Sequence, residues 1–111
     1  LSEKLARLGI DVAQDVFWEE VYARADDVIR RQIAGETLLV PIRGQLALLD
    51  RIFALNPVAA FIWEQLDGRK SLGDIRQGVL AKFEVEPEAA EADIREFIDA
   101  LRQAHLVRGG A

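Results

Sequence analysis

The chain has 111 residues, half of them hydrophobic and 30% charged, which suits one domain of ordinary size with its own core. It contains no cysteine, so disulfides, thiolate metal sites and cysteine nucleophiles are excluded. A formal charge of −5 weighs against nucleic acid as the main partner, because duplex affinity comes largely from neutralising phosphates, and no apolar run approaches the roughly 20 residues that cross a bilayer.

Leu1, Leu5 and Leu8 fit a short helix that Gly9 would end, and the charges among them do not suit a secretory signal, so a cytoplasmic setting is expected. Asp11 and Gln14 have capping-box spacing, and Val12, Ala13, Val16, Phe17 and Val21 fit a second helical stripe. The alternative is extended, with Phe17, Glu19 and Val21 alternating against Trp18, Glu20 and Tyr22. We favour helix, because Glu20 and Arg24 would form an i,i+4 pair. Phe17 and Trp18 then need a surface to cover them, on this domain or on a second copy.

Val28 to Ile33 reads as a strand, Ala34-Gly35-Glu36 as a tight reversal, and Thr37 to Arg43 as a second strand. Pro41 cannot donate to a ladder, so one side of that strand is unpaired there or bulged. After a turn at Arg43-Gly44-Gln45, Leu46 to Leu49 is short and apolar, either strand or one helical turn. Ile52, Phe53 and Leu55 suit a third strand that runs straight into a helix, with Asn56 as N-cap and Pro57 at the first helical position. Val58, Phe61, Ile62 and Leu66 form its buried stripe, and Asp67-Gly68 would close it.

Ser71 and Asp74 carry the start signal of a second helix, with Leu72, Ile75, Val79, Leu80 and Phe83 on its apolar stripe. Pro87 opens a third helix, with Ala90, Ile94, Phe97, Ile98 and Leu101 as the stripe and a Glu91–Arg95 pair outside it. Leu106-Val107 would return briefly to the sheet. Strands first and helices after make an α+β fold of the winged-helix type.

The chemistry is sparse. His105 is the only histidine and reads as a cation at a helix C-terminus. The carboxylates from Glu84 to Asp99 lack the spacing of a calcium loop and fit a solvated helix face. Ser71 is occupied as a cap, and Gly35, Gly44 and Gly68 are isolated turn glycines. No nucleophile–base pair is legible, and no catalytic residue, metal or cofactor is expected. Arg69, Lys70, Arg76 and Lys82 would be the positive contacts of a DNA reader, but a helix beginning Ser71-Leu72-Gly73-Asp74 lacks the basic N-terminus such a reader needs.

Gly35-Glu36-Thr37-Leu38-Leu39-Val40-Pro41, then Leu55-Asn56 followed by Phe61-Ile62-Trp63, then Leu66-Asp67-Gly68, resemble the PqqD family. Ile75, Leu80, Asp93 to Leu101 and the closing His105-Leu106-Val107 extend the resemblance, which covers Val28 to Val107 and leaves Leu1 to Asp27 outside. It implies a domain over residues 28–108, a three-stranded antiparallel sheet followed by three helices, with residues 1–27 as a helical N-terminal extension. It implies no catalysis. Such domains, also called RiPP recognition elements, bind the leader segment of a ribosomally made precursor peptide and present it to a modifying enzyme. That enzyme is a radical SAM protein for PqqD, and a protease and a cyclase in lasso-peptide systems.

By the same resemblance the leader adds to the free edge of the third strand and lies against the third helix. That places it along Asp50, Arg51, Ile52, Phe53, Ala54 and Leu55, with Arg95, Ile98 and Arg102 across the groove. Arg95 and Arg102 would meet acidic leader residues and Ile98 would floor an apolar pocket. An edge strand offers unpaired backbone groups, so this mode is physically reasonable. The alternatives are a winged-helix DNA-binding module and a dimerising module, the latter as a homodimer through residues 1–27 or with that segment filling its own groove.

Overall fold

The computed structural model of the protein describes residues 12–43, 46–47 and 52–109. Strand β2 (Val28–Ile33) and strand β3 (Glu36–Arg43) form an antiparallel hairpin in which Ile33 faces Glu36. Only Ala34 and Gly35 lie between them, at φ 53° and 84°. Positive φ at both positions is the turn whose twist matches a hairpin. On the other side of β3, strand β5 (Phe53–Leu55) pairs with Thr37 to Leu39, and strand β4 (Leu46–Ala47) pairs with Ile42 and Arg43. Pro41 falls between those two pairings, where its missing N–H costs no described ladder bond. The expected turn at Gly44-Gln45 and residues Leu48, Leu49, Asp50 and Arg51 lie outside the described residues.

The N-terminal segment corrects the sequence reading. Helix α1 (Val12–Glu19) stops before Glu20, and Val21–Arg24 is strand β1. The extended alternative therefore holds for the second half of that stretch. Strand β1 is the centre of a second sheet, flanked by β6 (Asp67–Ser71) and β7 (Val107–Gly109). Two partner strands satisfy backbone groups that a frayed helix end would leave to water. Arg24 does not pair with Glu20; its Nη1 donates to the carbonyls of Trp63 and Glu64 at 3.1 and 2.7 Å. A cation there suits the negative end of a helix. Tyr22 is buried in the core and its hydroxyl donates to Glu20 Oε1 at 2.9 Å. The core is thus shared across residue 27, the expected edge of the domain.

Asn56 Oδ1 accepts from the Ala59 N–H at 2.8 Å and starts helix α2 (Pro57–Gln65) as expected. The helix ends at Leu66, so Asp67 and Gly68 open β6 instead of closing the helix. Ser71 and Asp74 make a complete capping box on helix α3 (Leu72–Lys82). Pro87 opens helix α4 (Pro87–Gln103). The core joins Leu39 and Leu55 of the hairpin sheet to Ile62, Trp63, Ile75, Val79, Ile94, Ile98 and Leu101 of the helices. The fold is α+β, with two small antiparallel sheets where one was expected. Among the described residues, no helix is long and apolar enough to cross a membrane.

Candidate functional site

Among the described residues, β5 pairs only with β3, so its other edge carries unpaired N–H and C=O groups. That edge opens on a groove of about 300 Å³ between β5, the start of α2 and one flank of α4. Phe53, Ala54 and Leu55 line it on the strand side and Val58 and Ala59 on the helix α2 side. Asp93, Glu96, Phe97 and Ala100 line it from α4. The side chains of β5 alternate as the pleat requires: Leu55 is buried, Phe53 half-buried against the core, and Ala54 and Ile52 exposed.

The structure divides the expected site residues into two groups. Phe53, Ala54 and Leu55 lie on the groove, Ile52 is exposed beside it, and Asp50 and Arg51 are outside the described residues. Arg95, Ile98 and Arg102 come together with each other but not with β5. They line a separate depression with Phe17, Ala92, Glu96 and Asp99. At 3.6 residues per turn, Arg95 stands about 200° from Asp93, so the two flanks of α4 face different ways. Ile98 is fully buried in the core and lies under that depression, not under the β5 groove. Arg95 stacks with its guanidinium carbon 4.3 Å from the Phe17 ring centre and 5.1 Å from that of Trp18. Its expected partner Glu91 instead accepts from Arg76 at 3.1 Å. The groove-lining residues outside the expected set are Asn56 with Val58, Ala59 and Ile62 of α2, and Asp93, Glu96, Phe97 and Ala100 of α4. Phe97 packs against the core as its place on the apolar stripe implies, and its half-exposed side also lines the groove.

Helix α1 is held on the far side of α4 and α3 from this groove. Phe17 and Trp18 pack edge to face, with ring centres 4.8 Å apart, against the partly buried periphery of the core. Gly73 lets Trp18 approach, since a Cβ there would lie 3.2 Å from the Trp18 carbonyl oxygen. The described part of the N-terminal segment therefore covers its own aromatic side chains on this domain and leaves the β5 edge open.

Three of the four basic residues named for a DNA reader, Lys70, Arg76 and Lys82, have partners within the domain. Lys70 Nζ bonds Asp67 Oδ2 at 2.8 Å, Arg76 is paired with Glu91, and Lys82 lies over the Phe61 ring. Lys70 and the backbone N–H groups of Lys70 and Arg69 together hold the Asp67 carboxyl well below the usual carboxylate range. Burial, aided by the bond to Glu20, pushes the Tyr22 phenol up. Among the described residues there is no group of three or more His, Asp or Glu side chains that could hold a metal ion.

Residues 36–107 match the family model described as coenzyme PQQ synthesis protein D (PqqD). The chain is 35% identical over 68 residues to a "PqqA binding protein" of Xanthomonas euvesicatoria pv. vesicatoria (strain 85-10), covering 60% of this chain and 74% of that protein. A protein of the same description from Rhizobium meliloti (strain 1021) is 35% identical over 63 residues, 55% of this chain and 64% of its own length. The fold matches TbiB1 in complex with the TbiA(beta) leader peptide, with TM-score 0.63 and 27% identity over 80% of this chain and 98% of that one. It also matches a lasso peptide synthetase B1 complexed with its leader peptide, with TM-score 0.63 and 23% identity over 78% of this chain and 96% of that one; this second likeness concerns the fold alone.

Proposed function

This chain belongs to the PqqD family, and from that premise we propose that it is a recognition protein for the leader segment of a ribosomally synthesised precursor peptide. The leader adds as a strand to the outer edge of β5 and lies in the groove against α4. The observation that carries this reading is the open edge of β5 facing a groove with an apolar floor. Main-chain bonds along the edge give affinity that depends little on sequence, and the groove reads alternate side chains. The bound peptide is held extended for a modifying enzyme, a radical SAM protein or a similar catalyst, and the present chain supplies no chemistry of its own.

The likeness to PqqA-binding proteins and to a chain solved with a leader peptide supports this assignment over a DNA-binding one. So does the engagement of Lys70 and Arg76 by carboxylates. The test is a titration of the full chain with synthetic leader segments of short precursor peptides, PqqA among them, followed by backbone amide shifts. Changes are expected along Ile52 to Leu55 and at Asp93 to Ala100. Changes confined to Arg69 to Arg76 would place the binding surface elsewhere and remove the proposal.

A further inference from the structure

We propose that the β5–α4 groove selects peptides carrying an apolar residue and a lysine or arginine two positions apart, with Asp93 and Glu96 determining the choice. This deepens the peptide-binding reading and rests on it. The floor of the groove is apolar, formed by Val58, Ala59, Phe97 and Ala100. Its α4 rim is acidic, and no basic side chain is among the described residues that line it.

Three of the other five charges of α4 have partners among the described residues, and the remaining two, Glu88 and Arg102, do not line the groove. Glu91 accepts from Arg76, Asp99 accepts from Gln103, and Arg95 is stacked on Phe17 and Trp18. Among the described residues, Asp93 and Glu96 take part in no ion pair and no side-chain hydrogen bond, and both are exposed. Three residues apart on a helix, they stand on one flank about 4.5 Å apart along the axis. They lie one turn from Phe97 and Ala100. A strand added to β5 repeats its α4-facing side chains about every 6.8 Å. An apolar side chain seated on Phe97 and Ala100 therefore puts the next side chain of the same face against Asp93 and Glu96. A cation there offsets two carboxylates that have no partner among the described residues, and an acidic residue there would meet like charge at close range.

The experiment pans phage-displayed random 12-residue peptides on the full chain and titrates synthetic copies of the enriched ones, with amide shifts and dissociation constants as readouts. The expected result is peptides that shift the amides of Phe53 to Leu55 and share an apolar residue and a Lys or Arg two positions apart, in one consistent order. Exchanging that cation for glutamate should weaken binding about five- to tenfold. The doubly substituted chain Asp93→Lys, Glu96→Lys should reverse the preference; both sites are exposed, and circular dichroism checks the fold. Peptides that shift Phe53 to Leu55 with no charge preference, or a preference unchanged in the double variant, overturn this inference and leave the peptide-binding reading standing. Enrichment of no peptide that shifts those amides overturns both.

Discussion

His105 occupies a backbone conformation that glycine usually takes, at φ 60° just past the end of α4. Its N–H donates to the Arg102 carbonyl and the Leu106 N–H to the Leu101 carbonyl, at 3.1 and 2.9 Å, which is a Schellman cap. Leu101 and Leu106, both buried, supply the hydrophobic contact that goes with it. The sequence reading took His105 as a cation at the helix terminus; its role in the chain is this left-handed turn. His105→Gly should stabilise the protein by about 1 kcal/mol, a rise of several degrees in Tm by calorimetry. Asp67 belongs to the same scale. Its folded-state carboxyl titrates below the ordinary range, chiefly because Lys70 Nζ and two backbone N–H groups donate to its charged form. A depressed acid contributes stability that is fully present above the unfolded value near pH 4 and is lost as pH falls through the folded value. The Tm difference between wild type and Asp67→Ala should therefore be constant from pH 7 to 5 and narrow below about pH 4. A difference that does not narrow would mean that the charge of Asp67 contributes nothing to stability.

At the level of elements, α4 works as a three-sided rod. Ala90, Ile94, Ile98 and Leu101 face the core, Arg95 and Arg102 face α1, and Asp93, Glu96, Phe97 and Ala100 face β5. The core face was legible from apolar spacing alone, because burial selects residue type strongly. Assignment of the two flanks was not, because both are polar and periodicity says nothing about which neighbour each one meets. Helix α1 settles one of them. Arg95 lies against both the Phe17 and Trp18 rings, and Arg76 stands 5.6 Å from the Trp18 ring centre. Trp18→Ala should remove two cation–π contacts and a half-buried ring at a cost of about 2 kcal/mol. Hydrogen exchange should then show residues 16–19 losing protection while Phe53 to Leu55 are unchanged. Loss of protection at Phe53 to Leu55 as well would mean that α1 also supports the groove.

For the molecule as a whole, the second sheet ties the chain before Val28 to its last strand. Tyr22 is in the core, and β1 pairs with both β6 and β7. A chain begun at Val28 removes the middle strand of a three-stranded sheet and a buried aromatic side chain. It should lose several kcal/mol and unfold with reduced cooperativity in urea. A chain begun at Glu20 should keep β1 and recover most of that stability, with only the α1 contribution missing. Equal stability of the Val28 form and the full chain would show that residues 28–108 are self-sufficient. The sequence by itself determined the hairpin, the starts of α2, α3 and α4, the absence of cysteine chemistry and the family. These rest on local rules: a turn at Gly35, an N-cap at Asn56, a capping box at Ser71, prolines at first helical positions. The tertiary structure alone decided that Val21–Arg24 is a strand, that Asp67 and Gly68 belong to β6, and that the groove is walled by Asp93 and Phe97 instead of Arg95 and Ile98. The physical reason is the same in each case. A strand becomes a strand, and a helix flank becomes a groove wall, through partners remote in sequence, and no local pattern of side chains names those partners.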